Sequence, residues 1–448
     1  MRQKHTAQVS IYEQFAEHEL GRELRGMSQW LDAHRDVLTW VFDDLNRVGV
    51  KATGRRGMTA EAVLRCALLK QHRQLSYEEL AFYLRDSASF QAFARLPGNG
   101  WPNKSTLQRV ISAIKASTWE RIHHALRTTA AAKRIEPAQR IRIDSTVTDS
   151  PIHAPSDSHL LFDGVRVLVR LLQHARELPG APALHFINHT RVAKKRARAL
   201  WYTRGAAKRQ PLYRDLLGAT RATLTSIERV REQLLAHAGY SIERLAWLHE
   251  ANHYERLVLQ VIAQTERRVF GGEKVPASDK CVSLFEPHTD IIVKGSRGVQ
   301  YGHKLNLVSG RSGLIVDVVI ESGNPADSQR FMAMLERHQA HYGVMPRQVA
   351  TDGGYASVDN LKAAKNAGVE DVAFHKKRGL AIADMVKSQW VYRRLRNFRA
   401  GIEANISCLK RAYGLARCTW KGLAHFQAYV WSSVVAYNLS LLARHQLE

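Results

Sequence analysis

The sequence has few cysteines and no pattern that would join them. Cys66, Cys281, Cys408 and Cys418 are far apart, and none belongs to a C-x-x-C pair. This spacing argues against a disulfide framework and against a cysteine-ligated zinc site. The simplest expectation is a reducing compartment, which favours a cytoplasmic protein.

Long apolar runs are also missing. The first ten residues, MRQKHTAQVS, lack the apolar stretch of a signal peptide. The most apolar run, AYVWSSVVAYNLSLLA (Ala428 to Ala443), is too short and too rich in serine and asparagine to span a bilayer comfortably. We therefore predict a buried C-terminal helix here, and no membrane partner.

Acidic residues are scarce relative to basic ones. The 448 residues include 66 Lys+Arg and 41 Asp+Glu, a formal net charge of +25, and hydrophobic residues make up 45% of the chain. A chain of this length and composition can form two or three domains. The positive surplus favours a polyanionic partner, with nucleic acid the first candidate, because neutralised phosphates release counterions. A globular protein that is merely basic is the alternative.

The first part of the chain is predicted to be helical. Apolar residues recur at helical spacing from about Thr59 to Leu126, and Thr59 and Ser76 stand where helix N-caps belong. A further helix is predicted to start near Ser105, after the break LPGNGWPNKST. Short helices with basic polar faces suit a helix-turn-helix-like DNA-binding domain, and they suit an ordinary helical bundle equally well.

In the segment QRIRIDSTVTDSPIH the hydrophobic pattern changes from helical spacing to alternation. Ile141 and Ile143 alternate with Asp144, so the pattern predicts a β-strand that carries Asp144 on the face opposite the isoleucines. Pro151 ends this strand. The helical period then returns from about Ser158 to Glu273.

A basic run lies within this second helical region. From Arg191 to Arg214 there are nine Lys/Arg residues, with Trp201, Tyr202 and Tyr213 among them and no acidic residue. Such a run is commonly a solvated helix face. The absence of interleaved acids favours a phosphate-tracking surface, and the candidate DNA-binding residues are Lys194, Lys195, Arg196 and Arg198.

Strand patterns resume after Lys280, in CVSLFE, DIIVKG, HKLNLVSG and GLIVDVVIESG. A helix is predicted next, with Asn324 as its N-cap and Pro325 at its first position, and it runs to Gly343. RQVATDGGY predicts a short buried strand that ends at Asp352, and further helices alternate with the strand-like EDVAFHK. This order is typical of an α/β fold with a helical insertion.

Three acidic residues occupy special positions in this layout. Asp144 lies in the first strand, Asp352 ends a central strand before two glycines, and Glu403 lies on a late helix. Ligands gather at the carboxyl ends of strands in α/β sheets. Carboxylates from separate elements suit hard divalent cations, and paired Mg²⁺ ions can clamp an in-line phosphoryl displacement.

The angular positions of residues around the predicted helix show which of them share a face with Glu403. After Asp384, Glu403 and the C-terminal Glu448 are the only acids. With Arg399 at zero and about 100° per residue, Glu403 falls near ~40° and Lys410 near ~20°, at the border of the apolar face. The two cations can hold a DNA phosphate while the carboxylate holds a metal. The alternative is a weak surface pair between Glu403 and Arg399.

These segments resemble a known family. RIDST with Asp144, TDGGY with Asp352 and RAGIEANISCLKRAYGL with Glu403 are similar to the three catalytic motifs of bacterial insertion-sequence DDE transposases, the nearest group being ISNCY. Arg399, Glu403 and Lys410 match the spacing of a related third motif, whose tyrosine position holds Arg396 here. The N-terminal helical segment resembles the helical domain that is common to these enzymes.

The resemblance implies both a fold and a chemistry. The fold is an RNase H-like mixed sheet flanked by helices, and Asp144, Asp352 and Glu403 would bind two Mg²⁺ ions, for which Mn²⁺ can substitute. Metal-activated water would cleave the element's ends, and the freed 3′-hydroxyl would attack target DNA. Arg399 and Lys410 would contact phosphates. A homodimer or higher oligomer would act on DNA at the bacterial nucleoid.

The sequence departs from the family pattern in one respect, because many residues separate the first two core strands. A helical region inserted after the first strand explains this separation. The predicted division of the chain is an N-terminal helical domain, the first core strand, a basic helical insertion and the rest of the core, at 1–135, 136–157, 158–278 and 279–448.

Other candidate residues and two other functions are alternatives to this interpretation. His303 is the one histidine expected near the site, and five other acids are interpreted as structural: Asp149, Asp157, Glu286, Asp290 and Asp327. The alternative functions are an RNase H-like nuclease that cuts without strand transfer, and a sequence-specific DNA-binding protein with a spent catalytic core.

Overall fold

A computed structural model describes residues 3–4, 17–46, 57–96, 100–236, 241–293, 298–376 and 378–445. Most of the N-terminal decapeptide used above, together with Glu448, lies outside these residues. The chain forms two compact units, one of Met1–Pro151 with His303–Glu448 and the other of Ile152–Gly302.

The N-terminal part of the first unit is helical, as predicted. The Thr59 hydroxyl accepts the Ala62 N–H, and Ser76 forms a reciprocal capping box with Glu79. Asn103 caps the helix that was predicted to start near Ser105. The helices are α1 (Glu19–Ala33), α2 (Val37–Leu45), α3 (Ala60–His72), α4 (Tyr77–Asp86), α5 (Ala88–Ala94), α6 (Lys104–Ile111) and α7 (Ala116–Ala132).

A mixed six-stranded sheet confirms the predicted α/β fold class, and its organisation is that of an RNase H-like core. The strands are β1 (Arg140–Asp149), β2 (Asp290–Val293), β3 (Val299–Ser309), β4 (Ile315–Ile320), β5 (Gln348–Thr351) and β6 (Asp371–Phe374). Their order is β2-β3-β1-β5-β6, with β4 also paired to β3. β1, β5 and β6 run parallel, whereas β2 and β4 are antiparallel to β3.

Five helices accompany the later strands: α12 (Asp327–Tyr342), α13 (Val358–Asn366), α14 (Ile382–Met385), α15 (Gln389–Ala412) and α16 (Leu423–His445). The predicted start of α12 was wrong, since Ala326 rather than Asn324 is the N-cap. The Pro325 carbonyl accepts a hydrogen bond from Lys304 Nζ at 2.6 Å, so a contact with β3 holds this residue outside the helix.

The second unit contains the predicted helices after the first strand: α8 (Asp157–Arg176), α9 (Thr190–Tyr202), α10 (Ala206–Ala236) and α11 (Ile242–Val269). The strand predicted at CVSLFE was wrong, because this segment has no strand structure. The side-chain amide of Gln264 on α11 pairs with both backbone groups of Cys281, and the Ser283 hydroxyl accepts two backbone N–H groups. Side chains thus provide the hydrogen bonds that a neighbouring strand would supply.

The C-terminal helix α16 is buried, as predicted, and it packs within the first unit. Its Ala443 lies against Gly26 of α1, where an added Cβ would be 2.8 Å from the alanine Cβ. Ser433 accepts a hydrogen bond from Gln71 of α3 at 2.7 Å. Within the described parts of the chain, no helix is long and apolar enough to cross a membrane.

A buried arginine joins β1 to α15. Arg142 donates to Ser309 Oγ at 2.7 Å, to the Phe398 carbonyl at 2.9 Å and to Asn405 Oδ1 at 2.8 Å. Gly401 leaves the space for it, since an added Cβ would lie 1.9 Å from Arg142 Nη1. The guanidinium therefore fixes the helix segment on which Glu403 lies.

We expect Gly401→Ala to destabilise the protein by about 1–3 kcal/mol, because the new methyl group would displace the Arg142 guanidinium. Thermal or urea unfolding would measure the change. Gly218→Ala on α10 is the matched control, since nothing lies within 4 Å of its added Cβ. This control should stabilise its helix by about 0.5–1 kcal/mol. Equal effects of the two substitutions would contradict the role assigned to Gly401.

Candidate active site

Two of the three predicted carboxylates lie on neighbouring parallel strands. Ile143 of β1 pairs with Thr351 of β5, so Asp144 and Asp352 both follow this last pair by one residue. Neighbouring strands are roughly 4.8 Å apart. The sheet register therefore brings together two side chains that are 208 positions apart in the sequence.

The third carboxylate reaches the first through an arginine. Arg399 donates to Asp144 Oδ2 at 2.9 Å and to Glu403 Oε1 at 2.5 Å. Its side chain is only 12% exposed, whereas that of Glu403 is 62% exposed. The weak surface pair considered as an alternative thus exists, but the same guanidinium also holds a half-buried strand aspartate. Arg399 occupies the space between two like charges and reduces their repulsion.

A compact turn follows Asp352. Its Oδ1 accepts the Gly353 N–H at 2.7 Å and so starts the short 3₁₀ turn Gly353–Tyr355. An added Cβ at Gly353 would lie 2.6 Å from the Cβ of Lys376, and one at Gly354 would lie 2.8 Å from an Asp327 carboxylate oxygen. Both glycines are therefore required by close packing around the turn.

The sequence analysis missed several polar residues near this turn. Lys304 is buried on β3, and its Nζ forms an ion pair with Asp327 Oδ1 at 2.6 Å. The buried Tyr355 hydroxyl donates to Asn306 Oδ1 at 2.8 Å. Burial, followed by the nearby carboxylates of Asp327 and Asp144, raises the pKa of Tyr355 well above its usual value. This phenol stays protonated and remains a hydrogen-bond donor.

Two of these polar residues, Lys304 and Asn306, could have been identified from the alternating strand pattern of HKLNL. Successive strand residues face opposite sides, so Lys304 and Asn306 share one face. His303 lies on the other face, where its ring packs against Phe426 at 4.7 Å between ring centroids. The expected place of His303 near the active site stays a prediction.

The rival acids have structural partners in the cases that the contacts resolve. Asp157 accepts hydrogen bonds from Gln264 and Arg268, at 3.0 and 2.8 Å, and directly follows Ser156, the N-cap of α8. Asp327 differs from the other rival acids because its carboxylate lies close to the turn that follows Asp352. The acidic neighbourhood of the site is thus larger than the sequence motifs alone indicate.

The donor set fits a hard divalent cation, but the side chains are not arranged around one. Carboxylate oxygens are the ligands that Mg²⁺ prefers. Among the described residues, no group of three or more histidine, cysteine or acidic side chains is arranged to hold a metal. Arg399 forms ion pairs with both Asp144 and Glu403, so a positive charge stands between two of the three carboxylates.

The remaining predicted DNA contacts lie elsewhere. Lys410 is half-buried, about two turns beyond Glu403 on α15. In the second unit, Lys194, Lys195 and Arg198 are exposed on α9, whose buried face carries Ala193, Ala197 and Leu200. Arg196 forms an ion pair with Asp215 of α10 at 2.8 Å. Asp215, which directly follows the basic run in the sequence, therefore neutralises one of its arginines.

Comparison with known families finds two matches. The family described as Transposase DDE domain matches residues 293–439, a range that contains Asp352 and Glu403 but not Asp144. The family described as Transposase domain (DUF772) matches residues 12–113, within the N-terminal helical part. The searches of curated proteins and of solved structures found no match.

The two matched regions agree with the structure. The DDE match covers β3 to β6 and most of the helices after them, and the other match covers helices α1 to α6. The order of the two regions is the one implied by the sequence motifs, whereas the ISNCY-type group remains unconfirmed. This chain belongs to the insertion-sequence DDE transposases and is a DNA transposase.

Proposed function

We propose that this transposase cleaves DNA at the ends of an insertion sequence and joins those ends to target DNA in a Mg²⁺-dependent reaction. The proposal rests on Arg399, which donates to both Asp144 of β1 and Glu403 of α15, and on the register of β1 with β5, which sets Asp352 on the strand beside Asp144. Three carboxylates from separate elements are a donor set suited to phosphoryl transfer on DNA.

Asp144, Asp352 and Glu403 would hold two Mg²⁺ ions, and Mn²⁺ would substitute. When bound, such ions lower the pKa of a water molecule and neutralise charge on the reacting phosphate. The buried network of Tyr355 and Asn306 supports the floor of this site, since its hydrogen bond is satisfied within the protein. A rigid floor favours a fixed position for the phosphodiester, on which such displacements depend.

Arg399 would have two roles in this proposal. In the arrangement described above it bridges Asp144 and Glu403 and keeps them close. With metal bound, its guanidinium would turn to a DNA phosphate, because the carboxylates would then be neutralised by another cation. Lys410 would contact a further phosphate along α15. Bidentate binding of phosphate suits arginine, and a point charge suits lysine.

The domain roles follow the predicted division. Residues 1–135 would bind the element's ends, the strand at 136–157 and the segment 279–448 would form the catalytic core, and 158–278 would contribute a basic surface. On that surface the exposed Lys194, Lys195 and Arg198 would contact phosphates, with Arg196 joining them if its pair with Asp215 opens. A homodimer or higher oligomer would bring two ends together.

An assay with pre-cleaved ends separates this function from its rivals. Strand transfer in the presence of Mg²⁺ is the expected result. Cutting without joining would instead identify a nuclease, and binding without chemistry would identify a DNA-binding protein with a spent core.

We expect Asp352→Asn to abolish cleavage and joining while DNA binding stays within about threefold of the unmodified protein, because the amide is a poorer ligand for a hard cation. Asp359→Asn is the matched control, since this exposed aspartate lies seven residues later on α13. Product analysis on gels and DNA binding would be measured for both. Full activity of Asp352→Asn would refute the metal assignment.

We expect Arg399→Gln to bind Mg²⁺ on the order of tenfold more tightly, because it removes a positive charge that competes for Asp144 and Glu403. Its maximal rate should fall, since a phosphate contact is lost. Calorimetric titration with Mg²⁺ measures the first effect independently of activity.

Arg396→Gln removes an equal charge three residues earlier, from an exposed position on the same helix, and should bind Mg²⁺ like the unmodified protein. Weaker or unchanged Mg²⁺ binding by Arg399→Gln would show that its bridge does not compete with the cation.

A further inference from the structure

A second cationic site lies within the first unit, in a cleft of about 730 Å³. The starts of β1 and β5 and the first turns of α15 form part of its walls. Its volume is within the range of roughly 300–1,000 Å³ that is typical of ligand sites. Six of the lining residues are basic: Arg134, Arg140, Arg311, Arg347, Lys387 and Arg394.

The acid that lines this cleft is buried and bound within the protein. Glu136 is 1% exposed, and its carboxylate accepts the Ala138 N–H at 2.9 Å. It also accepts both the N–H and the hydroxyl of Ser312, at 2.7 and 2.8 Å. Its lone pairs are therefore used in shaping a loop, and among the described residues none of the cleft's basic side chains forms an ion pair with it.

The basic side chains are poorly compensated by the protein. Arg347 pairs with Glu370 at 2.8 Å, in an exposed ion pair that is worth little. Within the described ranges, Arg134, Arg311, Lys387 and Arg394 have no ion-pair partner. Burial and the like charges of Arg394, Arg311 and Arg347 lower the pKa of Arg140, and the carboxylate of Asp371 opposes them with a smaller effect. Repulsion of this kind is relieved when an anion binds.

An exposed indole completes the chemistry of the cleft. Trp390, on the first turn of α15, is exposed, and Arg394 lies over its ring at 5.1 Å. The N-terminus of this 24-residue helix also lies at the cleft, where its dipole favours negative charge. Cations that follow a backbone, combined with an aromatic face for a base, characterise sites for single-stranded nucleic acid.

This cleft is separate from the carboxylates. Trp390 precedes Arg399 by nine residues and is therefore roughly 180° around α15 from it. Along β1, Arg140 is roughly 13 Å from Asp144 at about 3.3 Å per residue. Arg142 lies between these two positions on β1, and its guanidinium stacks on the Phe398 ring at 4.7 Å. One nucleotide cannot occupy both.

We propose that this cleft binds a single-stranded DNA segment, with phosphates on Arg311, Arg394 and Lys387 and an unpaired base on Trp390. Duplex DNA fits the features less well, because its bases are stacked inside the helix and offer no free face to the indole. DNA is taken as the ligand because the chain is a transposase. The cleft does not depend on the metal chemistry proposed above, so binding is expected without divalent cations.

The test uses the full chain, EDTA and a 5-iodouracil-labelled single-stranded oligonucleotide, with photocrosslinks located by mass spectrometry. A crosslink in the peptide that contains Trp390 is expected. Arg311→Glu with Arg394→Glu should reduce it at least tenfold and make the slope of log affinity against log salt shallower by about 1.4, for two lost phosphate contacts. Trp390→Ala should weaken binding about fivefold or more, and Trp390→Phe should retain most of it.

Lys362→Glu with Lys421→Glu is the matched control, because both lysines are exposed on the first unit and do not line the cleft. The proposal is overturned if no crosslink maps to the Trp390 peptide, if the cleft pair and the control pair behave alike, or if a duplex of equal length crosslinks equally well. Loss of strand transfer in Asp352→Asn with the crosslink retained would distinguish the two sites. A crosslink in a chain without any strand transfer would support the cleft while refuting the proposed function.

Discussion

The candidate active site depends on one buried cation, the guanidinium of Arg142. It forms its three hydrogen bonds with neutral oxygens, one on β3 and two on α15 at positions about two turns apart. Burying a charge is costly unless its donors are satisfied, so removing any of these acceptors would leave the cost uncompensated. Asn405 extends the network to α16 by donating to the Tyr437 hydroxyl at 2.6 Å. The sheet and two long helices are thereby joined just below Glu403.

A second cation, Arg399, binds two of the candidate carboxylates themselves. Two carboxylates held close together repel each other unless a positive charge lies between them. The guanidinium supplies that charge, and its low exposure makes the interaction less screened than a surface pair. The site is thus assembled in advance by a protein group whose place a metal ion could take. An arginine i, i+4 from a glutamate thus also binds an aspartate on a distant strand.

Local patterns predicted most of the elements correctly. Thr59 and Ser76 are caps because their hydroxyls bond within three residues, and the alternation around Asp144 is a property of one strand. The errors lie where distant residues decide the structure. Pro325 stays outside α12 because Lys304 binds its carbonyl, and Gln264 replaces a strand partner for Cys281. The role of Arg142 was also hidden, since its partners are more than 160 positions away.

The position of α16 has a consequence for the making of the protein. This helix fills the core beneath α1 and α3, and the hydrogen bond between Gln71 and Ser433 spans 362 positions. At roughly 5–20 residues per second, a ribosome needs on the order of 20–70 s to cover that distance. During this time the N-terminal helices have no C-terminal partner for their apolar faces. A nascent or truncated chain would therefore carry an incomplete N-terminal core, and the first unit can mature only after translation of its last helix.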